Sequence, residues 1–325
     1  QRSQGTWVVS KIWRVALICL FILAAVLVFA FYNPVTAPSL AEAEQAAVEF
    51  LDLTLAIELY EQIADRGSSS ERTQAEMALA LIDWHIYDNP EAARERLSRL
   101  IERKRNAAEP LIALARMEIA QQDFIAARQA ARRAMEVAQT GAESREAQRH
   151  FAWAVVEEAT LSRLNPDTLT FPSDELLQEA HAMVREIVEN MPGELQSSRL
   201  LLATSLLLDD GNSTLLAWRS YYWVSEGQEP FPLLVDAYAT LQEILSGWQG
   251  PASPAEDRER LINALADSRF FDEAALVALD PRVEMELSSE ATDVIAYAQF
   301  LHRLQARMDT SYRGEVTGSD TIPPW

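Results

Sequence analysis

The chain is poor in cysteine, glycine and lysine. Its 325 residues include one cysteine, Cys19, together with ten glycines and two lysines. A single cysteine excludes a disulfide framework and a cysteine-ligated zinc site. The glycines form no Gly-rich loop of the kind that binds phosphate. We therefore expect neither redox-active thiols nor a nucleotide site of these types.

Positive charge is also scarce. Lys and Arg number 28 against 49 Asp and Glu, so the formal net charge is −21. Nucleic-acid binding requires clustered cations that contact phosphates, and no basic stretch of that kind is present. Nucleic acid is therefore excluded as a partner.

One long apolar run stands out near the start of the sequence. Residues 15–32 read VALICLFILAAVLVFAFY, eighteen residues without a charge. At about 1.5 Å per residue such a helix nearly spans the hydrocarbon core of a bilayer. Trp7 and Trp13 precede the run while Phe31 and Tyr32 close it, as is typical of aromatic belts at membrane interfaces. The sequence predicts a transmembrane helix over 15–32 that contacts the lipid bilayer.

The flanking charges predict the orientation of this helix. Arg2, Lys11 and Arg14 precede the run, and the next basic residue is Arg66. By the positive-inside rule, residues 1–14 form a cytoplasmic segment. The strong preference for arginine over lysine indicates a GC-rich bacterial genome, so we expect a bacterial inner-membrane protein whose larger part is periplasmic. The alternative is a cleaved signal peptide, because residues 38–41 (Pro-Ser-Leu-Ala) offer small residues to a peptidase.

The exported part is predicted to be strongly acidic and helical. Residues 33–325 carry 25 cations against 49 anions. After a proline-containing linker, 33–39, apolar residues recur with helical rather than alternating spacing. Helices are predicted over 40–65, 71–87, 90–104, 108–121, 123–139, 143–164, 174–191, 194–209, 213–225, 232–247, 256–268, 271–279 and 289–313.

An internal repeat lies between residues 78 and 138. Segments 78–102 and 112–136 align at an offset of 34 residues, which matches Leu81 with Ala115, Ala93 with Ala127, Leu97 with Ala131 and Leu100 with Ala134. This spacing resembles tetratricopeptide (TPR) repeats, whose unit is a pair of helices in 34 residues. Asp123 and Phe124 would form the turn between the helices, and Ala127 would be the small residue that lets them approach closely.

The resemblance implies a fold class and a division of the chain. The fold class is all-α, with a single N-terminal transmembrane helix followed by a TPR-like helical-hairpin solenoid. TPR-like repeats are predicted over 40–226, a C-terminal helical region with degenerate repeats over 227–313, and a tail that contains proline and tryptophan over 314–325. The characteristic aromatic and Leu-Gly residues of the first helix are mostly missing, and the last sixty residues fit the pattern poorly.

The sequence offers little to catalysis. Its four histidines, His85, His150, His181 and His302, include no pair spaced by three or four residues, so a metal site would need tertiary convergence. The carboxylates are dispersed, and no Gly-x-Ser-x-Gly nucleophile motif occurs. We expect no enzyme, no cofactor and no metal; the alternative, the helical part of an enzyme, would require a deep pocket with perturbed pKa values.

Three sets of residues are candidates for partner binding. By the TPR resemblance, the first helices of successive units line a concave groove that presents Ile82, His85, Ile112, Arg116 and Ile119. The second set is an aromatic-rich helix, because aromatic residues cover nearly its whole circumference and cannot all face one core: Trp218, Arg219, Tyr222 and Trp223. Packing inside the array is the alternative for that helix. The third is Trp325, which follows two prolines and could dock on another subunit or belong to a frayed end.

These features together predict a membrane-anchored TPR-like scaffold or accessory subunit that docks on a larger inner-membrane complex. Stacked helical hairpins provide an extended binding surface, and an anchor raises the local concentration near membrane partners. The alternative is a periplasmic chaperone or peptide-binding receptor.

Overall fold

The computed structural model describes residues 38–48, 52–164, 170–225, 227–283, 288–289, 292–293, 295–297 and 300. The regular structure of these residues is entirely helical, which confirms the predicted all-α class. None of the helices among them is both long enough and apolar enough to cross a membrane. Several predicted segments lie outside the described residues, namely the segment 1–14, the transmembrane helix over 15–32, most of the linker 33–39, most of the helix over 289–313, and the tail 314–325.

Thirteen α-helices and two short 3-10 helices are assigned within this part of the chain. The α-helices are α1 (Leu40–Val48), α2 (Leu53–Arg66), α3 (Ser69–His85), α4 (Pro90–Arg103), α5 (Glu109–Ala120), α6 (Phe124–Val137), α7 (Gly141–Leu164), α8 (Asp174–Asn190), α9 (Leu195–Leu207), α10 (Gly211–Tyr221), α11 (Val235–Ser246), α12 (Ala255–Asp267) and α13 (Phe271–Ala278). The 3-10 helices are Pro232–Leu234 and Gly250–Ala252.

The chain divides into two compact units, and the first ends at Leu79. Its helices α1 and α2 pack through small and aromatic side chains that are almost fully buried, namely Ala43, Ala46, Ala56, Tyr60 and Ile63. The single helix predicted over 40–65 is in fact two helices. Asp52 is the reason, because its side chain accepts a 3.0 Å hydrogen bond from the amide of Leu55 and so begins a new helix.

The second unit, from Ala80 onward, is built from antiparallel hairpins with a recurrent tight turn. A non-glycine residue with positive φ follows the helix at five turns, namely Asp88, Gln122, Asp209, Trp223 and Arg269. The amide of the next residue bonds to a carbonyl five residues back, or six residues back in the turn at Asp88. At three of these turns the following residue is the N-cap of the next helix, with its side chain accepting an amide: Asn89, Asp123 and Asp210. Each helix is thereby reversed within a few residues.

The core of the second unit lies between two rows of helices. In one row α5, α7 and α9 contact each other in succession, and α6, α8 and α10 pack against them as hairpin partners. Phe151 and Leu201 are fully buried in this core. Of the residues aligned by the 34-residue repeat, Ala93, Leu97, Leu100, Ala115, Ala127, Ala131 and Ala134 are buried, whereas Leu81 is 38% exposed.

Candidate interaction surfaces

The aromatic-rich helix α10 is divided between the core and the solvent. Trp218 is fully buried, and its indole Nε1 donates a 3.0 Å hydrogen bond to Oγ of Ser268. Its ring packs against Tyr238 with the ring centroids 4.9 Å apart. Both the apolar area and the polar N–H of this side chain are satisfied internally. Trp218 is therefore a core residue and is not available to a partner.

Tyr222 and Arg219 are half-buried and brace the end of α10. The Tyr222 hydroxyl donates to the backbone carbonyl of Ser268, and burial raises the pKa of Tyr222 to about 12. Nε of Arg219 lies 3.4 Å from the carbonyl oxygen of Val224, whose own amide bonds back to the carbonyl of Arg219. These contacts hold the turn in which Trp223 lies.

Trp223 is the aromatic residue that faces solvent. It is 72% exposed and has a φ of 59°, a left-handed conformation that glycine or asparagine usually supplies at the end of a helix. One side of its indole lies against Gly193, where a Cβ would come within 2.7 Å of the ring. The same conformation occurs at the turns after four other helices, and among these five residues Trp223 alone has a large apolar side chain.

Other large apolar side chains are exposed in the loop after α10 and at the start of α9. Phe231 is 78% exposed and Leu233 is 97% exposed, and Leu195, two residues after Gly193, is 49% exposed. We call Leu195, Trp223, Phe231 and Leu233 the apolar edge. The sequence analysis did not single out Phe231 and Leu233. The sequence carried no clear signal for them, because Pro232 is also a favourable first residue for the helix predicted over 232–247.

The predicted groove residues have different environments. Ile119 is only 6% exposed and packs with Phe124, so it belongs to the core. Ile82 and Ile112 are half-buried. His85 is exposed, and its ring stacks on Trp84 with a centroid distance of 3.9 Å. Trp325 lies outside the described residues.

Arg116, the predicted groove cation, is exposed. Its charge is close enough to His150 to act on it electrostatically. The pKa of His150 is lowered to about 4, mainly by burial and then by the positive charges of Arg149 and Arg116. Trp153, one turn further along α7, is 37% exposed and donates from Nε1 to Glu157 at 2.9 Å.

A cleft of about 190 Å³ opens where α7, α8 and α9 meet. Its lining comprises the apolar side chains of Ala142, Ile187 and Met191 and the charged side chains of Arg145, Glu146, Arg149 and Glu194. Arg149 bridges the two glutamates: Nη1 lies 2.7 Å from Oε1 of Glu194, and Nη2 pairs with Glu146. Burial would raise the pKa of Glu194, but bonds from Ser197 and Arg149 lower it, so this carboxylate stays charged.

The polar cluster around His181 is structural. Nδ1 of His181 lies 3.3 Å from Oγ1 of Thr204, and Nε2 lies 3.5 Å from Oδ2 of Asp210, which is the order of groups in a catalytic triad. Thr204, however, is fully buried and donates its hydroxyl hydrogen to the carbonyl of Leu200 at 2.9 Å. This hydroxyl is not accessible as a nucleophile. Among the residues that the structure describes, no group of three His, Cys, Asp or Glu is arranged to hold a metal ion.

A buried ionic cluster holds the end of α13. Asp280 lies 2.6 Å from Nη2 of Arg282, and Arg163 and Arg258 approach the same carboxylate at 3.9 and 3.8 Å. Arg282 also pairs with Asp209 at 2.8 Å. Burial would raise the pKa of Asp280, but hydrogen bonds from Arg282 hold it below its usual value. The guanidinium groups of Arg163 and Arg258 also donate to backbone carbonyls, so the cluster ties together distant segments.

Comparison of the chain with protein-family models, with curated proteins and with solved structures finds no match.

Proposed function

We propose that the protein is a membrane-anchored, TPR-like scaffold or accessory subunit that docks on a larger complex of the bacterial inner membrane. The observation that carries the proposal is Trp223, a tryptophan held in the left-handed conformation with 72% of its surface exposed. Tryptophan is among the residues most enriched at binding hot spots. An isolated array would gain nothing from placing this side chain in water.

The rest of the apolar edge supports a protein partner. Leu195, Phe231 and Leu233 add large exposed apolar side chains, and a docked protein would remove this area from water. Glu229 next to the edge is exposed and charged, and would form part of a polar rim. The partner surface is therefore expected to be apolar at its centre.

In this proposal, the membrane anchor and the periplasmic location of the helical domain depend on the sequence alone. The uncharged run over 15–32, the cations that precede it and the acids that follow it support a cytoplasmic N-terminus and a periplasmic helical domain. Anchoring confines the apolar edge near membrane partners and raises its effective concentration.

The test is to solubilise native membranes in mild detergent and determine the size and composition of the complex that contains this chain. We expect a stoichiometric complex that Trp223→Ala and Leu233→Ser each dissociate. The matched control is Ile125→Ser, because Ile125 is 61% exposed but lies at the start of α6, outside the apolar edge. A free monomer or dimer in wild-type membranes, or dissociation by the control to the same extent, would overturn the proposal.

A further inference from the structure

The described part of the chain ends close to the apolar edge. The ring of Tyr297 packs on Phe271 with the centroids 4.7 Å apart, and the preceding residue, Phe270, packs on Tyr221 at 4.9 Å. Tyr221 lies two residues before Trp223. A short series of direct ring contacts therefore connects the last described residues to the turn that holds Trp223.

A second series of contacts leads to Leu195. Asp272, the residue after Phe271, lies 2.7 Å from Nη2 of Arg199. Arg199 is one helical turn beyond Leu195 on α9, and Leu195 is 49% exposed. The chain thus leaves the described residues close to both Trp223 and Leu195.

The residues that follow Phe300 are numerous enough to return to this surface. An extended chain covers about 3.3 Å per residue, so the tail 314–325 alone spans up to about 40 Å. A helix over 301–313, as the sequence predicts, would be only about 20 Å long. The tail therefore reaches the apolar edge with or without that helix.

The composition of segment 321–325 suits an apolar surface with acidic surroundings. The segment reads TIPPW and carries no charge, so the exposed acids near the edge, Glu229 and Asp236, do not repel it. Proline-containing segments bind exposed aromatic rings, because their restricted backbone loses little entropy on binding. Trp223 offers such a ring, since one side of its indole lies against Gly193 and the side chain is 72% exposed.

We propose that residues 321–325 fold back onto the apolar edge of the same chain. In this contact the two prolines lie against the exposed face of Trp223, and the indole of Trp325 lies against Leu195. Apolar area on both sides is removed from water. The segment covers the edge until a partner displaces it; this regulatory role, unlike the contact itself, rests on the proposed docking function.

Disulfide cross-linking of the purified full chain in detergent tests the contact. Cys19→Ser removes the native thiol, and Gln196→Cys and Thr321→Cys place one thiol next to Leu195 and one within the docking segment. We expect an intrachain disulfide to form at least about ten times faster than when Gln129→Cys replaces Gln196→Cys, because docking raises the effective concentration at the edge. Gln129 is the matched control, since both glutamines are exposed and Gln129 lies on α6.

Two further substitutions separate docking from proximity along the chain. Trp325→Ala and Trp223→Ala, each added to the pair of thiols at 196 and 321, leave the length of chain between the thiols unchanged. We expect each to slow disulfide formation about tenfold, toward the rate of the control pair. Circular dichroism verifies that both variants are folded.

Three outcomes would overturn the proposal: equal rates for the thiols at 196 and 129, no effect of Trp325→Ala or Trp223→Ala, or a disulfide that forms chiefly between two chains. The last would identify a second copy as the source of the segment. The purified chain contains no partner, so this result does not depend on whether a complex exists in native membranes. Failure of the contact is therefore distinguishable from failure of docking on a partner.

Discussion

The indole of Trp218 and the hydroxyl of Ser268 form a buried hydrogen bond between residues fifty positions apart in the chain. Ser268 accepts from Nε1 of Trp218 and donates its own hydrogen to the carbonyl of Ala264 at 2.8 Å, so both groups are satisfied. This bond links α10 to the end of α12, and it fixes the side of α10 that faces the core.

Replacement of Trp218 by phenylalanine should destabilise the protein. The change removes the N–H and leaves a void in a site with 0% exposure, so we expect a loss of about 2 to 4 kcal/mol in the free energy of unfolding. Urea denaturation followed by circular dichroism measures it. The matched change Trp223→Phe should cost less than about 0.5 kcal/mol, because that ring is exposed. Equal losses for the two variants would contradict the burial of Trp218.

A side chain at position 193 should destabilise the protein. Gly193 has a φ of 89°, and a Cβ there would come within 2.7 Å of the Trp223 indole. Gly193→Ala should therefore lower stability by about 1 kcal/mol or more and shift tryptophan fluorescence as the ring is displaced. Gly247→Ala is the control, since a Cβ at that position meets no atom within 4 Å. A fluorescence spectrum unchanged in Gly193→Ala would show that the two residues are not in contact.

The stability of the protein should depend on the protonation of His150. Its Nδ1 lies 2.9 Å from the carbonyl of Glu146, and its pKa is lowered from 6.5 to about 4 chiefly by burial. The unfolded chain therefore binds the proton first as the pH falls. The stabilising contribution is present above pH 6.5 and is lost as the pH falls toward 4, by about 3 kcal/mol in total.

Urea unfolding at a series of pH values tests this. His150→Gln should lose less stability than wild type between pH 7 and pH 4, and the difference between the two curves should develop mainly in that window. The comparison with the variant separates His150 from the carboxylates, which titrate in both proteins. Parallel curves would mean that the imidazole is not buried in its neutral form.

The carboxylate of Asp280 should be essential to the stability of the segment at the end of α13. Asp280→Asn removes the carboxylate that faces Arg163, Arg258 and Arg282, and it leaves Asp209 as the remaining counterion of the cluster. We expect a loss of about 3 to 5 kcal/mol, measured as the change in the free energy of unfolding. Asp267→Asn, at an exposed position at the end of α12, should change stability by less than about 0.5 kcal/mol. Comparable small effects from both would contradict the ionic cluster.

Much of the local structure could be predicted from the sequence, because it depends on neighbours along the chain. The helical spacing of apolar residues predicted the all-α class. The aligned small residues Ala93, Ala127 and Ala131 are buried, as expected where two paired helices pack closely. The break at Asp52 was the exception. It follows from one capping side chain, whose effect outweighed the apolar periodicity that runs through the predicted helix over 40–65.

The candidate surfaces could be predicted only in part, because exposure depends on contacts between residues distant in the chain. Trp218 and Trp223 lie five residues apart in one aromatic run, yet Ser268 and Tyr238 bury the first while a left-handed turn exposes the second. The cleft between α7, α8 and α9 is formed by residues of three helices, and Arg149 pairs there with glutamates that lie 3 and 45 residues away in the chain. The helical periodicity and the helix caps thus follow from the sequence itself, because they depend on neighbouring residues. Tertiary packing decided which aromatic ring is buried and which is exposed.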